Sequence, residues 1–469
     1  MAALAAHAVL HLRAGWTLPV PWPDEVHFLM PAQSLAASGT LWVPGLHPER
    51  PLMWMPPGYA TMMAAVFSIT GPSLLVARGI SMLAVWIAAL ALWRLAGSVA
   101  HRGLATIVAG LFLLHPAVVV IGNVARMDAV VLAMSLTAAA CLDRRPVLAV
   151  GLLVLATLVH PNGAFFLVAA AVYILVGLRR GTLVLRPTRA ELGVLVIAAV
   201  ALCAYAMHAA SHWPGLVQDM AFQVARKTDR DVWLSFTGRR MWMALALVAM
   251  LVWPQRRDGH ARLLVVGLPA YLVQRLGHEM WYHPFDVLFT AVFAVAAVRM
   301  VVTVAPRLWT RARAATVLVV GAALSLLGLA IWPELPRHPH AAVWRHMRMA
   351  DAPYVGPNEL HSVAQTLSGR VQFLPRGDAA MFLGATQARF SIVDDVRHAS
   401  NADMLVIHES SDHPRHWRRR TAEALALAQQ EGRAQRIRTD PPSARWWRVH
   451  PLDADPLSTS SGRQQPNAK

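Results

Sequence analysis

The stretch Pro21-Trp22-Pro23-Asp24-Glu25-Val26-His27 places two adjacent carboxylates directly after the first apolar segment of the chain. It opens a predicted loop that runs to the aromatic and proline-rich segment 54–59. Pro-Asp-Glu is also ordinary turn composition, so a solvated turn is the local alternative. The remainder of the chain is strongly hydrophobic, because 56% of its 469 residues are apolar and only 15% are charged. The role of Asp24 and Glu25 therefore depends on which other polar residues lie on the same side of the membrane.

Repeated apolar runs predict an all-α polytopic membrane protein. A bilayer-spanning helix needs about 20 mostly apolar residues, and by length and apolarity we find about eleven such segments. They are residues 1–18, 73–96, 103–121, 127–142, 147–160, 163–178, 191–210, 240–253, 262–277, 284–304 and 312–332. The apolar run 58–70 is separated from the next span by Gly71-Pro72, so we interpret it as an interfacial helix. A re-entrant or spanning role for that run stays open.

Alternate loops between these segments are rich in arginine. Their basic residues are Arg94 and Arg102; Arg144 and Arg145; Arg179, Arg180, Arg186 and Arg189; Arg256, Arg257 and Arg262; and Arg307, Arg311 and Arg313. By the positive-inside rule these loops are cytoplasmic, as is the N-terminus. The other loops, including the one that carries Asp24 and Glu25, are then expected on the outer face. The net charge of +17 is explained by these loops, and we expect no nucleic-acid partner.

The composition becomes more polar after Pro333. Residues 336–455 are expected to form a small soluble α/β domain on the outer face, following a transmembrane domain of residues 1–335 in which an outer loop, 19–58, carries interfacial helices. Short strands are predicted at 371–374, 404–407 and 446–449, and a helix at 416–430 that ends before Gly432. The tail 456–469 has the composition of a disordered segment. The two cysteines, Cys141 and Cys203, are expected to remain unpaired.

A second acidic residue is predicted on the outer face, in Asn123-Val124-Ala125-Arg126-Met127-Asp128. Asp128 stands at the outer mouth of a span, where a carboxylate can also serve simply to stabilise the helix N-terminus. Arg126 can pair with a carboxylate or hold a phosphate.

The order of these motifs resembles the GT-C glycosyltransferases, and most closely the family 39 branch of protein O-mannosyltransferases and aminoarabinose transferases. The shared pattern is Asp-Glu in the first outer loop, the pair Pro56-Pro57, Arg-x-Asp at a later outer mouth, and a C-terminal outer domain. The resemblance implies that Asp24 is catalytic, with Glu25 and Asp128 as further acidic residues of the site. The family often has a lysine just before the proline pair, but this chain has Met55. A Lys-x-x-Gly-like turn of the family corresponds here to His160-Pro161-Asn162-Gly163.

Such a site would transfer a sugar from a polyprenyl phosphate to an acceptor hydroxyl. A carboxylate such as Asp24 can take the proton of that hydroxyl, and the leaving phosphate needs cations or hydrogen-bond donors. The outward candidates for the donor phosphate or sugar are Arg126, Arg50, His160, Asn162, Lys227, Arg239, His278, Glu279 and Tyr282. The stretch His278–His283 lacks the spacing of a zinc-protease motif, and an aromatic interfacial belt is the alternative to a role in the pocket.

We therefore predict an inverting membrane glycosyltransferase that uses a polyprenyl-phosphate sugar and modifies an envelope glycan, lipid or protein at the outer face of the cell membrane. The alternatives are a transporter or flippase of an envelope lipid precursor and a non-catalytic scaffold. A transporter favours charges near the bilayer midplane, and Arg78 and His115 are partial examples. The sequence predicts no metal site and no cofactor, and a divalent-metal requirement is left open.

Overall fold

The computed structural model describes residues 2–14, 23–47, 49–98, 102–228, 244–245, 247–248, 260–277, 283–304, 357–374, 376–384, 389–391, 404–409, 415–439 and 445–449. Its first helices are α1 (Ala2–Ala14), α2 (Pro23–Ser38), α3 (Gly58–Thr70), α4 (Leu74–Gly97), α5 (Arg102–Leu114), α6 (Pro116–Gly122) and α7 (Met127–Cys141). They are followed by α8 (Pro146–Val159), α9 (Gly163–Arg179), α10 (Arg189–Ser211), α11 (Trp213–Thr228), α12 (His260–Gly277) and α13 (His283–Val304). The predicted span 312–332, most of 240–253, the boundary at 335/336 and the tail 456–469 lie outside the described residues.

Two helices of the described part are long and apolar enough to cross a membrane, α4 and α10. The pair α5 and α6 would form a third span if it is taken together across its bend of 62°. Shorter apolar helices are α3, α7, α8, α9 and the segment 284–298 of α13. The mostly helical fold is thus confirmed, and its apolar helices have the composition of membrane helices, whereas the number of about eleven spans stays a prediction.

The predicted span 103–121 is formed by two helices, α5 and α6, because the chain bends at His115. Pro116 cannot donate a backbone hydrogen bond and disfavours a helical conformation for the residue before it. His115 is accordingly extended, with φ −65° and ψ 133°, and its Nδ1 accepts a hydrogen bond from the backbone N–H of Ala117 at 3.2 Å. This N-cap starts α6 in a new direction.

Two predicted loops contain helices. Pro23, Asp24 and Glu25 form the first turn of α2, a position that suits a proline and favours carboxylates near the positive end of the helix dipole. The helix is followed by Gly39, whose φ of 74° lies in the left-handed region that commonly terminates helices. The connection between the predicted spans 191–210 and 240–253 contains α11. Helix α3 is separate from α4 as predicted, with Gly71 between them at a φ of 77°.

The helices bring the described residues of four arginine-rich turns together at one end of the bundle. At that end Arg262 donates to Asp143 at 2.9 Å and to Ser98 at 3.1 Å, and Arg145 lies 3.7 Å from Glu191. The start of α2, the segment 123–126, the turn at His160 and the end of α10 lie at the opposite end. The predicted separation of basic turns from candidate site residues is therefore present in the fold, and the assignment of the basic end to the cytoplasm stays a prediction.

The C-terminal region contains a five-stranded mixed sheet. Its strands are β1 (Arg370–Leu374), β2 (Arg389–Ser391), β3 (Met404–His408), β4 (Ala434–Arg436) and β5 (Trp446–Val449), and their order is β2-β1-β3-β5-β4. β1 is parallel to β2 and β3, and β5 is antiparallel to β3 and β4. Helices α14 (Pro357–Thr366) and α15 (Arg415–Gln430) complete the α/β unit, which confirms the predicted strands and the helix before Gly432.

The α/β unit packs on the helix that carries the acidic pair. One face of its sheet, with Leu374, Leu405 and Ile407, packs against α15. The other face, with Phe373 and Trp446, joins the core of the helical bundle through the 3₁₀ helix Arg376–Phe382, which contacts α2. The C-terminal unit therefore supports α2 directly.

Candidate functional site

The two adjacent carboxylates of α2 face in different directions. Glu25 is completely buried and forms a two-pronged ion pair with Arg78 of α4, at 3.0 Å from Nε and 2.8 Å from Nη2. Its Oε1 also accepts the backbone N–H of Ala125 at 2.7 Å. Glu25 thus fixes the backbone just before Arg126 and neutralises Arg78, which explains the charge that the sequence places inside an apolar helix.

Arg126 joins the two other acidic residues. Its Nε donates to Asp128 Oδ2 at 2.9 Å, its Nη1 donates to Asp24 Oδ2, and its guanidinium carbon lies 5.7 Å from the centre of the Phe28 ring. The planar guanidinium can hold two carboxylates at once and stack on an aromatic ring. Asp24 and Arg126, which are 102 positions apart in the sequence, therefore lie in contact, as the order of the motifs predicts.

Exposure separates the roles of these carboxylates. The Asp24 side chain is 29% exposed, whereas that of Asp128 is 1% exposed. Arg126 binds Oδ2 of Asp24, and Oδ1 has no hydrogen-bond partner among the described residues. Asp24 is the carboxylate of this cluster that a substrate can reach, while Asp128 and Glu25, both predicted as catalytic, are placed to orient Arg126 and its backbone.

A pocket begins one helical turn from Asp24. Its empty volume is about 570 Å³, and it lies between α2, the segment 52–57 and the ends of α8 and α10. Most of its lining is apolar or aromatic, as is usual for small-molecule sites. The polar side chains of the lining include His27, Tyr59, Tyr205 and His208. Met55 lines the pocket where the family has a lysine. Phe28 and Met127 connect the pocket to the Arg126 cluster.

The predicted phosphate-binding residues differ in the contacts that they make and in whether they lie beside the pocket. Arg50 is occupied by Asp219 of α11, with hydrogen bonds of 2.6 and 2.9 Å. His160 is buried at the end of α8, and its Nδ1 accepts the backbone N–H of Asn162 at 3.0 Å, so these two residues form a tight turn beside Val159 of the pocket. His278, Glu279, Tyr282 and Arg239 lie outside the described residues, as does the side chain of Lys227.

The Arg50–Asp219 pair shifts the pKa of both partners. Burial raises the pKa of the Asp219 carboxyl, but the hydrogen bonds from Arg50 and from the Met53 N–H outweigh it, and the net pKa is lowered. The hydrogen bond to Asp219 raises the pKa of Arg50. Both groups are therefore charged at neutral pH, and the pair links the pocket segment 50–53 to α11.

In the part of the chain that the structure describes, no three His, Cys, Asp or Glu side chains are grouped as metal ligands would be. Cys141 and Cys203 are unpaired, as expected.

The chain has the fold of GT-C glycosyltransferases. It superimposes on ArnT, an aminoarabinose transferase, from Cupriavidus metallidurans bound to undecaprenyl phosphate, with a TM-score of 0.57, 15% identity, and coverage of 97% of this chain and 98% of that one. The apo form of ArnT gives a TM-score of 0.48 at 16% identity, with 96% of each chain covered. An oligosaccharyltransferase from Archaeoglobus fulgidus gives 0.41 at 14% identity, with 83% of this chain and 62% of that chain covered. No protein-family model and no curated protein sequence matches the chain.

Sequence reasoning missed several residues that the structure brings to the site. Arg78 had a detectable signal, because a lone charge in an apolar helix needs a partner. Tyr205, His208 and Asp219 had none, since their approach to the pocket depends on how α10 and α11 pack against the segment 50–57.

Proposed function

We propose that this protein is a membrane glycosyltransferase that moves a sugar from a polyprenyl-phosphate donor to an acceptor hydroxyl on an envelope glycan, lipid or protein. The proposal depends most on one observation: Asp24 is a partly exposed carboxylate, oriented by Arg126, one helical turn from a largely apolar pocket. The GT-C fold, shared with an ArnT structure that holds undecaprenyl phosphate, supports the same substrate class.

Asp24 would act as the general base. The acceptor oxygen attacks the anomeric carbon, its proton passes to Oδ1 of Asp24, and the bond between that carbon and the phosphate oxygen breaks with its electron pair on the phosphate. One direct displacement inverts the anomeric configuration. Arg126 keeps the carboxylate in place through Oδ2, and Asp128 and Glu25 fix Arg126 from the buried side.

The leaving phosphate needs hydrogen-bond donors or positive charge. Met55 supplies neither, but Tyr205 and His208 lie on the same pocket wall and His27 lies one turn from Asp24. The guanidinium of Arg126 lies against Phe28, which also lines the pocket. We assign these four polar side chains to the phosphate and sugar of the donor.

The test is turnover of a panel of polyprenyl-phosphate sugars by the purified protein in lipid nanodiscs. The unaltered chain should consume at least one donor and form a product of inverted configuration, and Asp24→Asn should lower the rate by about 10²–10⁴-fold. Glu49→Gln is the matched control, because Glu49 is an exposed acidic residue of the segment that connects α2 to α3 and should leave the rate unchanged. Equal turnover by Asp24→Asn would remove the base from the proposal, and movement of a lipid precursor across liposomes without transfer would favour the transporter alternative.

A further inference from the structure

Helix α11 is attached to the pocket wall through one side chain. Asp219 accepts two hydrogen bonds from Arg50, at 2.6 and 2.9 Å, and a third from the backbone N–H of Met53, at 2.7 Å. Gly215, one turn earlier, allows the close approach, because a Cβ there would lie 2.8 Å from Arg50 Cδ and Nε. Met53 lines the pocket, so this Asp219 clamp connects α11 to the substrate site.

The same helix carries an apolar stripe that no other described residue covers. Trp213, Val217, Met220 and Val224 are 42–60% exposed, and their spacing of four, three and four residues places them along one helical face. Phe222, also exposed, projects from the opposite side of the helix. An apolar stripe of this kind is typical of helices that lie in a membrane interface.

The position of α11 in the chain identifies what covers the stripe. α11 begins two residues after the end of α10, a helix long and apolar enough to cross the membrane. α10 itself exposes Val196, Ile197, Val200 and Met207 by more than half of their area, as expected for side chains in contact with lipid. The apolar surface of α11 therefore continues a lipid-facing surface at the end of the bundle that holds the site.

We propose that α11 lies in the lipid interface through Trp213, Val217, Met220 and Val224, and that the Asp219 clamp transmits this position to the pocket wall. Asp219 is then a positioning residue for the polyprenyl-linked donor, which must enter from the same lipid surface. This role of Asp219 in donor binding rests on the proposed function. The partner of the stripe is the bilayer itself.

Spin-label accessibility tests the first part without any substrate. Nitroxides are attached to Val217→Cys, Met220→Cys and, as an off-stripe apolar control, Phe222→Cys, each in a Cys141→Ala/Cys203→Ala background in nanodiscs of phosphatidylethanolamine and phosphatidylglycerol. The stripe labels should collide with oxygen and be protected from water-soluble nickel ethylenediaminediacetate, whereas the label at residue 222 should collide with the nickel complex. Nickel access at the stripe, or protection from both reagents as in a protein–protein contact, would overturn the proposal.

Kinetics tests the second part. Asp219→Asn weakens the charge-assisted hydrogen bonds that Asp219 accepts from Arg50, so the KM for the donor should rise by about tenfold while kcat changes much less. The unaltered protein must turn over a donor for this comparison, so failure of the proposed function shows itself as the absence of any rate. A normal KM in Asp219→Asn, or a loss confined to kcat, would overturn the positioning role even if the labels place α11 in lipid.

Discussion

The Glu25–Arg78 pair offers a sharp test of how the site is held together. Among the described contacts, Glu25 accepts hydrogen bonds from Nε and Nη2 of Arg78 and from the Ala125 N–H, and both charged side chains are at most 1% exposed. Glu25→Gln removes the charge that neutralises Arg78 and leaves one carbonyl oxygen for three donors. Breaking a buried pair on one side costs about 3–5 kcal/mol, so we expect a loss of this size in the free energy of unfolding.

The double variant measures the interaction energy between Glu25 and Arg78 separately from their contacts with other residues. Arg78→Gln alone should cost a similar amount, because it leaves Glu25 charged and buried. In Glu25→Gln/Arg78→Gln both charges are absent and the two amides can bond to each other, so the double variant should be more stable than the sum of the single losses by about 2 kcal/mol or more. The assay is reversible unfolding in mixed detergent and sodium dodecyl sulfate, followed by tryptophan fluorescence.

The control is Glu49→Gln, an exposed substitution that should change stability by no more than about 0.5 kcal/mol. Additive single effects, or single losses below about 1 kcal/mol, would refute the interpretation that this pair fixes the backbone before Arg126.

Three further outcomes are expected. Arg126→Lys should lower turnover by about tenfold or more, because a lysine cannot hold Asp24 and Asp128 bidentately; rates equal to those of the unaltered chain would show that bridging is unnecessary. Gly58→Ala should lower the thermal midpoint of unfolding through an overpacking cost of about 1–3 kcal/mol, since its Cβ would lie 2.4 Å from Leu158 O. The control Gly79→Ala meets nothing within 4 Å and should not lower the midpoint. Equal midpoints of the two variants would contradict the close packing of α3 on α8. The folded pKa of Asp219 lies below 3.8. The contribution of the Asp219 clamp to holding α11 should therefore be complete above about pH 4, the unfolded pKa, and should be lost as pH falls through the folded pKa. The mobility of a spin label at residue 217 measures this loss, and release of α11 near pH 6 would contradict it.

The amino-acid sequence predicts that the basic turns and the candidate site residues lie at opposite ends of the bundle, and that Asp24 lies near Asp128. Both predictions depend on patterns with direct physical meaning, namely apolar runs long enough to span a bilayer and arginines in alternate connections. The side of the membrane that each end faces stays a prediction. The strands of the C-terminal unit were also predicted, because their short apolar runs are bounded by turn residues.

The sequence could not assign separate roles to the adjacent acidic residues. Asp24 and Glu25 look equivalent in a predicted loop, and only the helical geometry of α2 turns Glu25 towards Arg78 and leaves Asp24 partly exposed, one helical turn from the pocket. The apolar run 103–121 predicts a span but does not indicate the bend at His115, which arises because Pro116 starts a new helix. The contribution of Asp219 was not predictable, since it arises from packing across 169 residues of sequence.

The central claim is that Asp24 removes the acceptor proton. It is tested most directly by single-turnover transfer from a bound polyprenyl-phosphate sugar, with donor binding measured on the same samples. Asp24→Asn should bind the donor nearly as well as the unaltered chain and transfer the sugar about 10²–10⁴ times more slowly. Transfer at the unaltered rate by Asp24→Asn with normal donor binding would contradict the account.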